Sequence, residues 1–401
     1  PLFYYMSAWI IKLGSRFITG DAYVALIPSV LYAVGMIWVI LIALWVLRSL
    51  RHIPLFLRSL MICVVVLFPC NTMMSVMYNN DLPVTLFSAL TIWALWLMCR
   101  TNQLTSKSRW LRASILAGIA TLFKLSGLIV VGVYVTLATY IVIQMLRRQH
   151  TDKARQVIIA ASIGLPLMIA PWVYNSNHTR QYVENEFGVI IESRNVWDVV
   201  YPSFFFSFDF DIFDVPFAFE TGSSSFWTLQ YLTLHNDYYN HWYSRAYKYY
   251  PPDQLFTIPS QRPTSDRKPI PYTRLIDAIT LQVLALPITG VMILGVCVAL
   301  YRVLFRNRFA LRDGSVVLLL YFGIAQGAQL LRFISHPDIY GVIIHARHLG
   351  FLYGFTFIVG SWWLLKLTKH HKRSKLISLG LATVMIAYSL VAIRLMWLPP
   401  I

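Results

Sequence analysis

Residues 113–145 read ASILAGIATLFKLSGLIVVGVYVTLATYIVIQM. This run of 33 residues contains a single charge, Lys124. A membrane crossing takes about 20 apolar residues, so the run is too long for one helix. Lys124, Ser126 and Gly127 interrupt it near its middle. We read a hairpin of two helices that turns near Lys124, with both arms short for full spans.

Outward from this hairpin the same reading repeats. Towards the start of the chain lie apolar spans at about 23–46, 59–77 and 82–99. Towards the end lie spans at about 156–173, 276–301, 314–333, 343–365 and 376–397. Apolar residues make up 57% of the 401 and charged residues 13%, against about 25% charge in a soluble domain. The fold class is therefore an all-α polytopic membrane protein of about ten transmembrane helices. It divides into residues 1–173, an N-terminal transmembrane half; 174–275, a large loop; and 276–401, the C-terminal helices. Residues 1–20 pair Tyr4, Tyr5 and Trp9 with Lys12 and Arg16, which suits a helix lying in the membrane interface. The chain begins at Pro1 without Met, and we expect it to be a fragment lacking an N-terminal membrane helix.

Basic residues fix the orientation. Every second connection is rich in Lys and Arg: Arg48 to Arg58, Arg100 to Arg112, Arg147 to Arg155, Arg302 to Arg312 and Lys366 to Lys375. These short loops hold 20 of the 34 basic residues, while the connections at Asp81, at Lys124 and at 335–342 hold almost none. By the positive-inside rule the basic loops are cytoplasmic and the 174–275 loop is extracytoplasmic. The alternation stays in phase only if the 113–145 run counts as two helices. The net charge of +17 is thus a topology signal, and a nucleic-acid partner is not expected. The four cysteines, Cys63, Cys70, Cys99 and Cys297, lie in or at the ends of apolar runs and form no disulfide or metal-ligand pattern.

Charges near membrane depth are costly and mark candidate sites. Asp81 follows Asn79 and Asn80 at the outer mouth. A carboxylate there can hold a divalent metal or a cationic group, or take a proton; equally, it can be a solvated residue capping the helix from Leu82. Lys124 can meet a lipid phosphate as a point charge or snorkel to the interface. Arg332 ends one span, and Arg347 sits between His345 and His348 before the next. Guanidiniums suit phosphate oxygens, though interfacial anchoring explains them as well. His345 and His348 share a helix face, weak grounds for a metal site.

The large loop is rich in Phe, Tyr and Trp, as in Tyr201–Phe206 and Tyr238–Tyr243, so it is not a disordered linker. It is expected to pack on the membrane domain as short helices and turns. Its acids Asp209, Asp211 and Asp214 fit an EF-hand poorly, because Phe213 and Asp214 fall where an oxygen ligand and a glycine are required. Asn177-His178-Thr179 matches an N-glycosylation triplet.

Six segments, in order, resemble one family. Pro1-Leu2-Phe3-Tyr4-Tyr5 with the following Lys-Leu-Gly turn resembles an HPPLYY…LFG motif. Ala25–Ser29 is similar to RLPS without its arginine, and Asn80-Asp81-Leu82-Pro83 to an acidic motif before a membrane helix. Ala117–Gly127 is similar to GLALLTKYSG, Ala170–Asn175 to PWLLRN, and Ala346-Arg347-His348-Leu349 to GRYL. These are motifs of GT-C class glycosyltransferases of the protein mannosyltransferase and aminoarabinose transferase type (glycosyltransferase family 39-like). The resemblance implies a GT-C-like bundle that moves a sugar from a polyprenyl-phosphate donor to a glycan, lipid or protein acceptor. Transfer would take place at the outer face of a membrane, with a bacterial inner membrane and a periplasmic loop as the expected setting. It implies a catalytic or acceptor-side role for Asp81, with Asn80 beside it. Lys124 and Arg347, with Arg332, His345 and His348, would hold the lipid phosphate. The family's usual catalytic acid precedes the HPPLYY-like segment, and that part is absent here. Two rival classes share the many spans and outer charges: a flippase or transporter of lipid-linked sugars, and a polysaccharide polymerase. The absence of an internal repeat and of paired broken helices speaks against transport.

Overall fold

The computed structural model describes residues 8, 9, 12, 26–71, 81–170, 173–174, 201–213, 225–235, 272–306, 311–335, 349 and 351–397. Among them the regular structure is helical, with no strand. In chain order the helices are α1 Leu26–Ser49, α2 Leu55–Val66, α3 Asp81–Arg100, α4 Lys107–Phe123 and α5 Leu128–Arg147. They continue with α6 Thr151–Ser162, α7 Phe226–His235, α8 Tyr272–Phe305, α9 Ser315–Ser335, α10 Leu352–Thr368 and α11 Ser374–Trp397. Among the described residues six stretches are long and apolar enough to cross a bilayer: Asp81–Arg100, Leu128–Arg147, Thr151–Ala170, Ile276–Phe305, Ser315–Ile334 and Ser374–Leu395. The protein is a multi-pass membrane protein. A bilayer offers no water to backbone groups, so each crossing must satisfy its own hydrogen bonds, and helices do that.

The 113–145 run is two helices, α4 and α5, joined by a 3-10 turn over Leu125–Gly127. The first arm is longer than its apolar run, because α4 already starts at Lys107. Span 59–77 is different. Helix α2 ends at Val66, ahead of Pro69. Proline disfavours helical backbone in the residue before it, and the chain breaks at Leu67 and Phe68. Asn71 Nδ2 donates to the Val65 carbonyl at 2.6 Å, which satisfies one acceptor at the break. Residues 72–80, most of 1–20, and residues 343–348 lie outside the described residues, as does the Asn177 triplet.

Helix α8 is 34 residues long. At 1.5 Å per residue it reaches about 51 Å, well beyond a hydrocarbon core of about 30 Å. It packs along α10 at close range. A Cβ added to Gly360 would lie 2.1 Å from the Val291 carbonyl oxygen, so this crossing requires glycine. Small residues let membrane helices approach where no hydrophobic drive between them exists.

Side-chain contacts define the two ends of the bundle. The C-terminal ends of α1, α3, α8 and α10 meet at one end. There Arg100 donates to the Ser49 carbonyl, Trp362 Nε1 donates to His52, and Arg302 lies over the Trp363 ring. The start of α9 joins them through the Arg302–Asp313 ion pair. The opposite end therefore carries the start of α3, the turn between α4 and α5, and the last turn of α9. The described loop segments also gather there. The 3-10 turn Pro202–Phe205 rests on α9, with Phe204 stacked on Phe333 at 5.2 Å.

Candidate active site

Asp81 is the first residue of α3 and sits in the favourable field of a helix N-terminus. Pro83 lies in the same first turn, where its missing N–H costs no helical bond. Asp81 is 3% exposed, so it is not a solvated turn residue. Burying a carboxylate without a partner is prohibitive. One partner is Lys124, whose Nζ donates to Asp81 Oδ1 in an ion pair.

The hairpin turn puts the lysine there. Lys124 caps α4 in extended backbone, with φ −158 and ψ 150, so its side chain leaves the helical path. The next residues turn back at once, and Gly127 N–H donates to the Lys124 carbonyl at 3.0 Å. A Cβ on Gly127 would lie 2.5 Å from the Ala120 carbonyl carbon and 2.6 Å from Thr121 N. Only glycine lets the start of α5 press against the last turn of α4. Stacking of Phe87 on Phe123 at 5.6 Å pins α3 to α4 beside the pair.

The Lys124 side chain is 24% exposed and that of Asp81 4%. The ammonium thus remains accessible at the mouth, with the carboxylate beneath it. Arg332 lies in the last turn of α9, at the same end and exposed. Asn80, His345, Arg347 and His348 lie outside the described residues. Among the described residues no three His, Cys, Asp or Glu groups cluster as metal ligands.

Residues 5–174 match the profile of the dolichyl-phosphate-mannose-protein mannosyltransferase family. This segment is similar to that family. The match spans α1 to α6, contains both Asp81 and Lys124, and stops where the large loop begins. The likeness is to membrane glycosyltransferases of the GT-C type, over this segment. No curated protein and no solved structure matches the chain.

Beyond the matched segment the structure adds residues that sequence reading missed. Helix α7 comes from the large loop, yet all of its residues except Trp227 are buried. Ser225 starts it as a cap: its Oγ accepts from Thr228 N–H at 3.2 Å. From there α7 enters the bundle among α8, α9, α10 and α11. Gln230 Nε2 donates to Gln326 Oε1 at 2.7 Å and to Gln329 Oε1 at 2.8 Å. Gln326 Nε2 returns a bond to Gln230 Oε1 at 3.0 Å, and Tyr353 donates to the same oxygen. Deeper in, His235 pairs with Tyr388 Oη at 2.9 Å and with Thr289 Oγ1 at 3.2 Å. Gln326 and Gln329, three apart inside an apolar span, were the available signal, since that spacing puts both on one face.

Loop acid Asp209 is half-buried beside α7, its N–H donating to Thr228 Oγ1 at 2.8 Å. Asp214 lies outside the described residues.

Proposed function

We propose that the chain transfers a sugar from a polyprenyl-phosphate donor to a glycan, lipid or protein acceptor at the extracytoplasmic face of a bacterial inner membrane. The buried Asp81–Lys124 pair, inside the family segment and at the mouth shared with the loop, is the observation that carries this reading. At rest the ammonium offsets the carboxylate's charge. The donor's phosphate brings a second anion to the partly exposed ammonium, and Lys124 then bridges phosphate and carboxylate. The acceptor hydroxyl lies against Asp81. Its oxygen attacks the anomeric carbon while its proton passes to the Asp81 carboxylate. The bond from that carbon to the phosphate oxygen breaks on the opposite face, so the sugar inverts. Polyprenyl phosphate leaves with the electron pair, and Lys124 offsets the charge that develops on it. Arg332 adds positive charge at the same mouth. Asn80, Arg347, His345 and His348 remain sequence-level candidates for the same anion.

The test uses the full chain in proteoliposomes with a polyprenyl-phosphate-mannose donor and a glycan acceptor, reading release of polyprenyl phosphate. Asp81→Asn keeps the shape and removes the base. Turnover is expected to fall by roughly 10²–10⁴. Unchanged turnover in a folded Asp81→Asn protein removes Asp81 from the chemistry. Donor that crosses the bilayer with its sugar still attached would replace transfer by transport.

A further inference from the structure

The end of the bundle away from Asp81 carries a second charged cluster. Arg100 and Lys366 approach the same indole from α3 and α10. The Arg100 guanidinium carbon is 5.7 Å from the Trp362 ring centre and 4.6 Å from that of Trp96. Lys366 Nζ is 5.3 Å from the Trp362 ring and 4.8 Å from that of Trp363. Arg302 lies 3.9 Å over the Trp363 ring. The nearby acid is already spent: Asp313 Oδ2 takes Arg302, while its Oδ1 accepts Ser315 N–H at 3.0 Å and Ser315 Oγ–H at 2.6 Å. Among the described residues no carboxylate forms an ion pair with Arg100 or Lys366. Arg100 gives one donor to the Ser49 carbonyl at 3.3 Å, and a guanidinium has five.

We propose that Arg100 and Lys366, flanking Trp362, bind the phosphate of an anionic phospholipid in the leaflet at this end. The site is independent of the transfer reading, since it lies on the other face. Three features favour a lipid source. Unspent cations sit between helix ends, where basic pockets take up phospholipid headgroups. Tryptophans stand beside them at interface depth. Leu55, Phe56 and Leu367 are 61%, 60% and 60% exposed at the same end and offer acyl chains an apolar wall. The field is positive here by a further sign: burial, then Arg100, Lys366, Lys369 and Arg58, hold the His52 imidazole below its ordinary pKa.

The experiment takes the purified full chain in an uncharged detergent. Native mass spectrometry and melting midpoint are read against added phosphatidylglycerol, phosphatidylcholine and inorganic phosphate. Phosphatidylglycerol is expected to bind at least about tenfold tighter than phosphatidylcholine and to raise the midpoint, whereas inorganic phosphate does neither. Arg100→Gln with Lys366→Gln is expected to weaken phosphatidylglycerol by about fivefold per cation, and Arg100→Lys with Lys366→Arg to keep most of it. Lys372→Gln with Arg373→Gln, on the same face but exposed and away from the tryptophans, should change little. Equal binding of the two lipids overturns the proposal, and so does an equal loss in the two neutralised variants. Saturation by inorganic phosphate alone overturns the lipid assignment. If the double variant melts before lipid is added, Lys366→Gln alone decides, because that side chain is exposed.

Discussion

The two ends of the bundle handle charge in opposite ways. At the Asp81 end a buried carboxylate is matched by the Lys124 ammonium in an ion pair. At the Trp362 end several cations crowd around aromatic rings, with a single acid already committed to Arg302 and to the start of α9. A matched, half-covered pair can be opened by an incoming anion and closed again, which suits turnover. A standing positive field on indole platforms attracts anions without consuming them, which suits a resident headgroup. The difference also explains why positive charge gathers at one end: that face fixes orientation, whereas the mouth must keep its charges few and matched.

The largest expected effect breaks the Asp81 end. Lys124→Ala takes the ammonium away from the buried Asp81 carboxylate, which should cost up to about 3–5 kcal/mol of stability. In protein that remains folded it should also cut sugar transfer by roughly 10²–10³. Chemical denaturation and a transfer assay read the two separately. Exchanging the pair, Asp81→Lys with Lys124→Asp, sharpens the comparison: much of the stability should return while transfer stays lost. Recovered transfer would mean that the pair is structural.

Gly127→Val comes next. Its branched side chain must displace backbone at Ala120 and Thr121. A loss of about 1–3 kcal/mol is expected, with transfer reduced because Lys124 shifts. A wild-type melt would show that the turn relaxes freely. Smaller again is Gln230→Leu. It removes the bonds that Gln230 makes with Gln326, Gln329 and Tyr353, and membrane hydrogen bonds average about 0.6 kcal/mol with a ceiling near 1.7. Thermal melting in detergent should fall modestly, and a drop beyond that range would show that the amide network holds α7 in the bundle more strongly than ordinary membrane hydrogen bonds do.

The smallest effect belongs to the positive end and to pH. The Trp362 indole donates to His52 Nε2 at 2.8 Å, which requires the neutral ring. The folded state holds His52 below its ordinary value of 6.5, by burial and then by Arg100, Lys366, Lys369 and Arg58. A depressed native value means the unfolded chain binds the proton more readily. The contribution is therefore complete above pH 6.5 and declines as pH falls through the native value. A melt series across that range should show a small decline in wild type that His52→Gln flattens.

Much of the fold was legible because a bilayer constrains the chain in one dimension. Apolar length gives the crossings, and the alternation of basic loops gives their phase. The hairpin at Lys124 follows from both, and the structure has it. The break before Pro69 was written in the sequence too, but it was masked by continuous hydropathy. The loop helix was not legible. Residues 226–235 read as part of an aromatic loop, and nothing local says that they enter the bundle. Gln326 and Gln329 announced a polar face, but not its occupant.

What the sequence determined by itself is therefore the all-helical, multi-pass membrane class, the helical hairpin at Lys124, and the placing of Asp81 and Lys124 at one end. Those depend on local composition against a slab of hydrocarbon. Only the tertiary structure decided that the two charges touch, that Asp81 is buried, that α7 sits among α8 to α11, and that Arg100 and Lys366 share one indole. Lateral contacts between helices depend on which faces meet, and side chains far apart in the chain set that choice together.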